Sequence, residues 1–178
     1  NSARTLDPVK DEAVINYLNS LDLPEALFDQ DYGFYLAQWH EQDAAILNKL
    51  AELLPHENVN RIDRIDGSWT VFSEAAYWRK ANQIHNWFVE NVQGGEDECN
   101  PYPVSKEQLT KLLEDVKTAL DNKSKASEVL PTVSGFFFGG TDYDDWYFQD
   151  LESTVTMLEP LITDEFFAEH TLQYRSSW

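Results

Sequence analysis

The sequence predicts a mainly α protein: a compact antiparallel bundle of about four to six helices, with room for one short hairpin. Two observations lead to this fold class. Apolar residues recur at helical spacing over four long segments. Signals that begin or end helices bound those segments, and a bundle lets amphipathic helices bury their apolar stripes against one another.

The first 72 residues are predicted to hold N-terminal helices and a polar connection. The pair Asp7-Pro8 indicates a helix start, and this helix ends before Pro24. Apolar residues at helical spacing predict a second helix over residues 31–54. In residues 56–72, charge alternates with isoleucine, which fits a short strand or an extended loop, and Asp66-Gly67 is a turn signal.

Residues 73–160 are predicted to form the central part of a single domain that covers residues 1–178. Ser73 caps a helix that runs to about Val92. The pattern Ser105 with Gln108 is a capping box that begins a helix through residue 120. A last long helix is expected over residues 142–159, with Trp146 on its buried side, and a short one over residues 164–170.

The chain is strongly acidic. It carries 13 Lys and Arg against 32 Asp and Glu, a formal net charge of −19. Phosphates would be repelled by this field, so we expect no direct nucleic-acid ligand. An acidic surface that docks on a basic protein partner remains open, and so does a surface that serves solubility alone.

The sequence gives no sign of a disulfide or a membrane segment. The single cysteine, Cys99, lies among carboxylates that disfavour a thiolate, and we expect it to be inert. No apolar run approaches the ~18–20 residues of a membrane span, and no signal-peptide pattern begins the chain. These observations predict a cytoplasmic protein without contact with a membrane.

The segment YWRKANQIHNWF (residues 77–88) concentrates the most unusual residues of the chain. On a helical wheel His85 points inward, and Asn82 lies where the buried face would meet a crevice. Arg provides a planar fork for carboxylate or phosphate, and indoles provide a stacking surface. Candidate ligand-binding residues in this segment are Trp78, Arg79, Lys80, Asn82, His85 and Trp87. The alternatives are a hydrogen-bonded core histidine and ordinary ion pairs of Arg79 and Lys80 with neighbouring carboxylates.

A glycine-aromatic loop, SGFFFGG (residues 134–140), leads into an acidic helix start. We expect Thr141 or Asp142 to cap that helix and the phenylalanines to pack under the central helix. Tyr143 and Asp144 complete the candidate ligand site. The aspartates lack the later Gly and Glu of a calcium loop, and the histidines are scattered, so we expect neither a metal nor a cofactor.

Three segments together resemble uncharacterised small proteins encoded by bacteriophages and prophages: YWRKANQIHNWF, SGFFFG and YDDWY (residues 143–147). The similarity covers roughly residues 73–160. It implies a bacterial cytoplasm during infection as the setting and a host-facing role such as counter-defence. It implies no particular activity.

Three functions are compatible with these features. The first is a non-enzymatic protein that binds a small polar ligand, such as a nucleotide, in a pocket of the central helix. The second is an acidic inhibitor that binds a basic host protein by imitating nucleic acid. The third, ranked last, is a hydrolase-type enzyme that uses His85 as general base with Asp144 or Asp150 nearby. The oligomeric state, the ligand and the partner are not predicted.

Overall fold

The computed structural model describes residues 1–28, 34–135 and 139–177. Across these residues the chain forms seven α-helices, three short 3-10 helices and six β-strands. The protein is therefore an α+β protein, and the prediction of a mainly α helical bundle, or of an all-α class, is wrong. The chain divides into two compact units, residues 1–75 and residues 76–178.

The first unit combines four antiparallel strands, in the order β2-β3-β4-β1, with two helices. Its elements are β1 (Ser2–Thr5), α1 (Glu12–Ser20), β2 (Phe34–Tyr35), α2 (Glu41–Leu53), β3 (Val59–Ile65) and β4 (Ser68–Ser73). A short 3-10 helix, Glu25–Leu27, follows α1. The buried faces of both helices and one face of the strands share a single apolar core, which includes Leu18, Leu50, Ile62 and Val71.

A tight hairpin joins β3 to β4. Ile65 pairs with Ser68, and the two turn residues Asp66 and Gly67 have φ of 51° and 78°. Positive φ at both central residues is the geometry in which Asp-Gly joins antiparallel strands. The strand interpretation of the alternating segment is thus confirmed.

The N-terminal helices differ from the predicted bounds. Helix α1 begins at Glu12 because the Asp7 side chain first closes a turn, accepting the backbone N–H groups of Val9 and Lys10 at 2.8 Å each. Helix α2 begins at Glu41 because Phe34 and Tyr35 pair with β3 instead of continuing a helix. The first residues of the predicted second helix, including Gly33, lie partly outside the described residues.

The second unit is mainly helical. Its elements are α3 (Asn82–Asn91), β5 (Tyr102–Val104), α4 (Lys106–Asp121), α5 (Ala126–Val129), α6 (Asp145–Leu158), α7 (Asp164–Glu169) and β6 (Thr171–Tyr174). Helices α4 and α6 pack against each other, with Leu112, Val116 and Leu151 fully buried. Strands β5 and β6 pair antiparallel, with Val104 opposite Leu172. The predicted capping box at Ser105 and Gln108 is present at the start of α4.

The predicted central helix is shorter than expected at its N-terminal end. Ser73 belongs to β4, and α3 begins only at Asn82. Lys80 has a φ of 58°, in the left-handed region, which reverses the chain just before the helix. The first five residues of YWRKANQIHNWF therefore lie outside the helix, and the wheel does not apply to them.

None of the helices in the described ranges is long and apolar enough to cross a membrane.

Candidate functional site

Asn82, at the first position of α3, holds the segment that leads into α6. Its side chain is 2% exposed. The amide oxygen accepts the backbone N–H of Val133 at 3.0 Å, and the amide nitrogen donates to the carbonyl oxygen of Gly140 at 2.9 Å. Both halves of the amide are thus used to fix the two sides of the glycine-aromatic loop. The three phenylalanines of that loop lie outside the described residues.

Gly139 lies close to the backbone at Lys80. A Cβ atom at this position would lie 2.8 Å from the carbonyl oxygen of Lys80. No real Cβ is found so close to a backbone oxygen, so a side chain at this position would force the two segments apart. The absence of a side chain at Gly139 lets the loop lie against the reversed chain at Lys80.

The next residue of α3, Gln83, contacts α6 directly. Its amide nitrogen donates to the carbonyl oxygen of Tyr147 at 3.3 Å and to the Asp150 carboxylate at 3.4 Å. Burial raises the pKa of Asp150, the hydrogen bond from Gln83 lowers it, and the charge of Asp144 raises it; the net shift is upward. A carboxyl group with a raised pKa is common at functional sites, but ordinary packing also produces one.

Trp78 adds a second attachment to α6. Its indole N–H donates to the Thr154 hydroxyl at 2.8 Å, and Thr154 is fully buried. The Trp78 ring lies 5.8 Å from the ring of Phe88, centroid to centroid. Trp78, Asn82 and Gln83 therefore all act as supports for α6 and the segment before it.

His85 points inward, as the wheel predicts, and is 9% exposed. Its Nδ1 lies 2.7 Å from the hydroxyl of Tyr174, and its Nε2 lies 2.8 Å from an oxygen of Asp97. With Nε2 donating its N–H to the Asp97 carboxylate, Nδ1 is the unprotonated nitrogen and accepts a hydrogen bond from the Tyr174 hydroxyl. This assignment satisfies both ring nitrogens, as a buried histidine requires.

The Tyr174 phenol is not poised to ionise. Burial raises its pKa, and the negative charge of Asp97 raises it further. The Tyr174 ring also stacks on Phe88, with centroids 3.8 Å apart and planes 6° from parallel. The row Asp97–His85–Tyr174 thus ties β6 and the loop after α3 to the helix. Asp144 and Asp150, the carboxylates proposed to assist His85, have other partners.

Trp87 is a core residue with its polar atom satisfied. It is 4% exposed, and its indole N–H donates to Asp115 at 2.9 Å. The Asp115 carboxylate also forms an ion pair with Lys111 at 2.9 Å. The Trp87 ring meets the Phe88 ring edge to face, with the two ring centroids 5.5 Å apart. No ring surface of Trp87 is therefore offered to a ligand.

Arg79 and Lys80 are exposed, and neither forms an ion pair with a carboxylate of the described residues. Tyr143 is 40% exposed, and its hydroxyl accepts the backbone N–H of Thr132 at 3.1 Å. Asp144 caps α6 by accepting the backbone N–H of Tyr147 at 3.1 Å, so the prediction of Thr141 or Asp142 as the cap is wrong.

The eight predicted ligand-binding residues therefore separate into three groups. Asn82, Tyr143 and Asp144 surround the segment that leads into α6, and Trp78 contacts the body of that helix. His85 and Trp87 are hydrogen-bonded within the core. Arg79 and Lys80 face solvent.

Sequence reasoning missed the outer face of α6. The inner face is buried through Tyr147, Phe148, Leu151, Thr154 and Leu158. The outer face is exposed throughout, and its residues are Asp145, Trp146, Gln149, Glu152, Ser153 and Thr156. Trp146 is 76% exposed, so its predicted place on the buried side is wrong. It lies about 100° around the helix from Tyr147, which takes the inward position instead.

The second unit is strongly acidic. Residues 76–178 hold 18 Asp and Glu against eight Lys and Arg, and from residue 126 onward Arg175 is the only basic residue. Lys106, Lys111 and Lys117 form ion pairs with carboxylates. Three aspartates, Asp142, Asp144 and Asp145, precede Trp146 in the sequence, and Glu152 is exposed on the same outer face.

No group of three or more His, Cys, Asp or Glu side chains in the described part of the chain is arranged to hold a metal ion. Comparison with protein-family models, with curated proteins and with solved structures gave no match.

Proposed function

We propose that this chain is an acidic protein-binding module that docks on a basic protein surface through the outer face of α6. The observation that carries the proposal is Trp146, a large aromatic residue left 76% exposed on a helix whose opposite face is fully buried. Tryptophan is enriched among the residues that dominate binding energy at protein interfaces. Flanking carboxylates would steer a basic partner toward it.

The face is held rigidly, which favours recognition over incidental exposure. Leu151 and Leu158 anchor the inner side of α6, and Asp144 caps its first turn. Trp78 and Gln83 attach the helix to the segment around α3. A surface that is already ordered loses little conformational entropy on binding, and more of the contact energy appears as affinity.

Because of the contacts that α3 makes, we rank binding of a basic protein above binding of a small polar ligand. A small polar ligand held by Asn82, His85 and Trp87 would have to displace hydrogen bonds that each of them already makes. Pocket binding of a nucleotide stays a prediction that ligand-dependent thermal stabilisation would test. The enzymatic hypothesis is weakest, because His85 is bonded to Asp97 and Tyr174.

The setting belongs to the proposal as well. The resemblance to phage and prophage proteins suggests action in the cytoplasm of a bacterial host, as part of counter-defence. A chain with a net charge of −19 could occupy the nucleic-acid site of a host protein by presenting carboxylates in place of phosphates. The partner class would then be a basic, nucleic-acid-binding protein.

The test is capture from a bacterial lysate, followed by affinity measurement with the purified partner. Trp146→Ala should weaken binding at least about tenfold, as expected for an interface anchor. Raising the ionic strength from about 0.1 M to about 1 M shortens the Debye length from about 10 Å to about 3 Å and should weaken binding further.

Tyr77→Ala is the matched control, because Tyr77 is an exposed aromatic residue (62%) of the same unit that lies outside α6. It should leave the affinity unchanged. The proposal fails if no partner is captured at low salt. It also fails if Trp146→Ala binds the partner as tightly as the unmodified chain does.

A further inference from the structure

Arg61 lies in a row of side chains that crosses one face of the first unit's strands. The register places Tyr35 of β2 opposite Arg61 of β3, Arg61 opposite Phe72 of β4, and Phe72 opposite Ala3 of β1. Residues directly opposite one another in antiparallel strands project to the same face. The core residues Ile62 and Val71 are their chain neighbours and therefore project to the other face.

The two neighbouring aromatic rings hold the Arg61 guanidinium without neutralising it. Its central carbon lies 3.5 Å from the ring centroid of Phe72 and 5.4 Å from that of Tyr35. One terminal nitrogen donates a long hydrogen bond of 3.4 Å to the Tyr35 hydroxyl. Its Nε is buried and has no hydrogen-bond partner. No carboxylate of the described residues is within ion-pair distance of Arg61.

Arg4, in the same unit, shows how an arginine of this chain is ordinarily satisfied. Its Nε and Nη2 donate to Glu57 at 2.8 Å each, and its Nη1 donates to Asp11 at 2.7 Å. All three nitrogens of that guanidinium therefore have carboxylate partners. Residues 1–75 contain 14 Asp and Glu against five Lys and Arg. Acidic residues are therefore abundant, yet no carboxylate in the described part of this unit forms an ion pair with Arg61.

We propose that Arg61 is a binding site for a carboxylate group supplied by another molecule. The free edge of the guanidinium is the one carrying Nη2, which is neither buried nor hydrogen-bonded within the described residues. Phe72 fixes the plane of the fork, and the Tyr35 ring, 43% exposed, forms the side wall facing solvent. An arginine fork held in one plane matches the two oxygens of a carboxylate.

A carboxylate fits this site better than a phosphate does. The net negative charge of the chain repels anions in proportion to their charge, so a carboxylate monoanion is repelled less strongly than a phosphate dianion. One unpaired guanidinium also cannot neutralise two negative charges. This site belongs to the first unit and the outer face of α6 to the second, and the two proposals are tested by different variants.

The experiment is a titration followed by the backbone amide signals of Ile62 and Phe72 in nuclear magnetic resonance spectra. Acetate replaces chloride at constant ionic strength, so that screening does not change. We expect saturable shifts with a dissociation constant of about 1–10 mM, the range of a single small charged contact. A blocked tripeptide with a central aspartate is the second probe, and a lower dissociation constant for it would assign the carboxylate to a protein partner.

Arg61→Lys keeps the charge and removes the fork, and should weaken acetate binding at least about fivefold. Arg64→Lys is the matched control on the same strand, since Arg64 also lies over an aromatic ring, 5.4 Å from that of Trp69, and is exposed. It should bind acetate as the unmodified chain does. Unchanged amide spectra away from position 61 will show that both variants fold.

Three results would overturn the proposal. The first is a linear, unsaturable response to acetate. The second is an equal affinity of the Arg61→Lys variant. The third is a tighter response to inorganic phosphate than to either carboxylate probe, which would assign the site to a different anion.

Discussion

Replacing Arg4 with methionine should destabilise the first unit strongly. Arg4 and Asp11 side chains are 9% and 6% exposed, and that of Glu57 is 17% exposed. The Arg4→Met change keeps the apolar length of the side chain but removes the guanidinium that donates to both the Asp11 and the Glu57 carboxylates. Removing one partner of a buried ion pair costs about 3–5 kcal/mol. Since Asp11 keeps its bond from the backbone N–H of Asp7 and Glu57 keeps some water, we expect about 3 kcal/mol.

The unfolding free energy lost in the Arg4→Met variant should be smaller at acidic pH than at neutral pH. Burial raises the pKa of Asp11, while the bonds from Arg4 and from the Asp7 N–H lower it by more, so the net shift is downward. A carboxyl group with a lowered folded-state pKa stabilises the fold above its unfolded pKa of about 3.9, and this stabilisation is lost as the pH falls through the folded-state value. In the Arg4→Met variant the guanidinium no longer offsets the effect of burial, so ionisation of Asp11 becomes less favourable in the folded state. The difference in unfolding free energy between the Arg4→Met variant and the unmodified chain should therefore become smaller as the pH is lowered toward ~4.

Urea unfolding at several pH values, followed by circular dichroism and tryptophan fluorescence, measures both quantities. Lys49→Met is the control, because the pair Lys49–Glu52 spans 3.6 Å on the surface, with side chains 42% and 71% exposed. Such a pair contributes about 0–1 kcal/mol. If Arg4→Met costs no more than this control at neutral pH, the reasoning about the buried pair is refuted.

Two further changes probe the supports of α6. Gly139→Ala should cost about 1–3 kcal/mol of unfolding free energy in thermal or urea melts, because its Cβ would lie 2.8 Å from the carbonyl oxygen of Lys80. Gly140→Ala has nothing within 4 Å and should be close to neutral, so equal effects of the two changes would contradict the packing argument. Asp150→Asn should raise stability modestly at neutral pH, because burial raises the pKa of the native carboxyl group and its ionised form is disfavoured in the fold. An asparagine oxygen can still accept from Gln83, and the gain should vanish as the pH falls through the raised pKa; a gain that persists at low pH would have another cause.

Local signals identified most of the longer helices but not the N-terminal ends of three of them, and they missed most of the strands. Helix α4 has a capping box and buried residues at helical spacing, Leu109, Leu112 and Val116, so sequence and structure agree there. Strand β1 is only the four residues SART, and its pairing with residues 70–73 of β4 depends on contacts far along the chain. Four residues are too few to show a periodic pattern, so the sequence contained no signal for β1. With the sheet undetected, the helical segments alone predicted a bundle. The run Trp69–Phe72, rich in β-branched and aromatic residues, was the available signal for β4.

In the candidate site, too, features that depend on local sequence were predicted and features that depend on distant residues were not. The wheel placed His85 inward correctly, because that depends only on its position along the helix. Its partners could not be predicted, since Asp97 lies 12 residues away and Tyr174 lies 89 residues away. The pattern of apolar residues predicted both Trp146 and Tyr147 on the buried side of the last long helix, but only Tyr147 points inward.

The segment that looked like a ligand pocket and the exposed face of α6 belong to one arrangement. Asn82 fixes both sides of the loop before α6, Gln83 bonds to its first turn, and Trp78 bonds to Thr154 farther along. Polar side chains in a core are costly unless their hydrogen bonds are satisfied, so this many satisfied contacts confine the helix to one position. An exposed tryptophan on a loosely held helix would gain little on binding, because ordering the helix would consume the contact energy. Trp78, Asn82 and Gln83 are thus accounted for by the position of the neighbouring helix, and the proposed binding through Trp146 would depend on them.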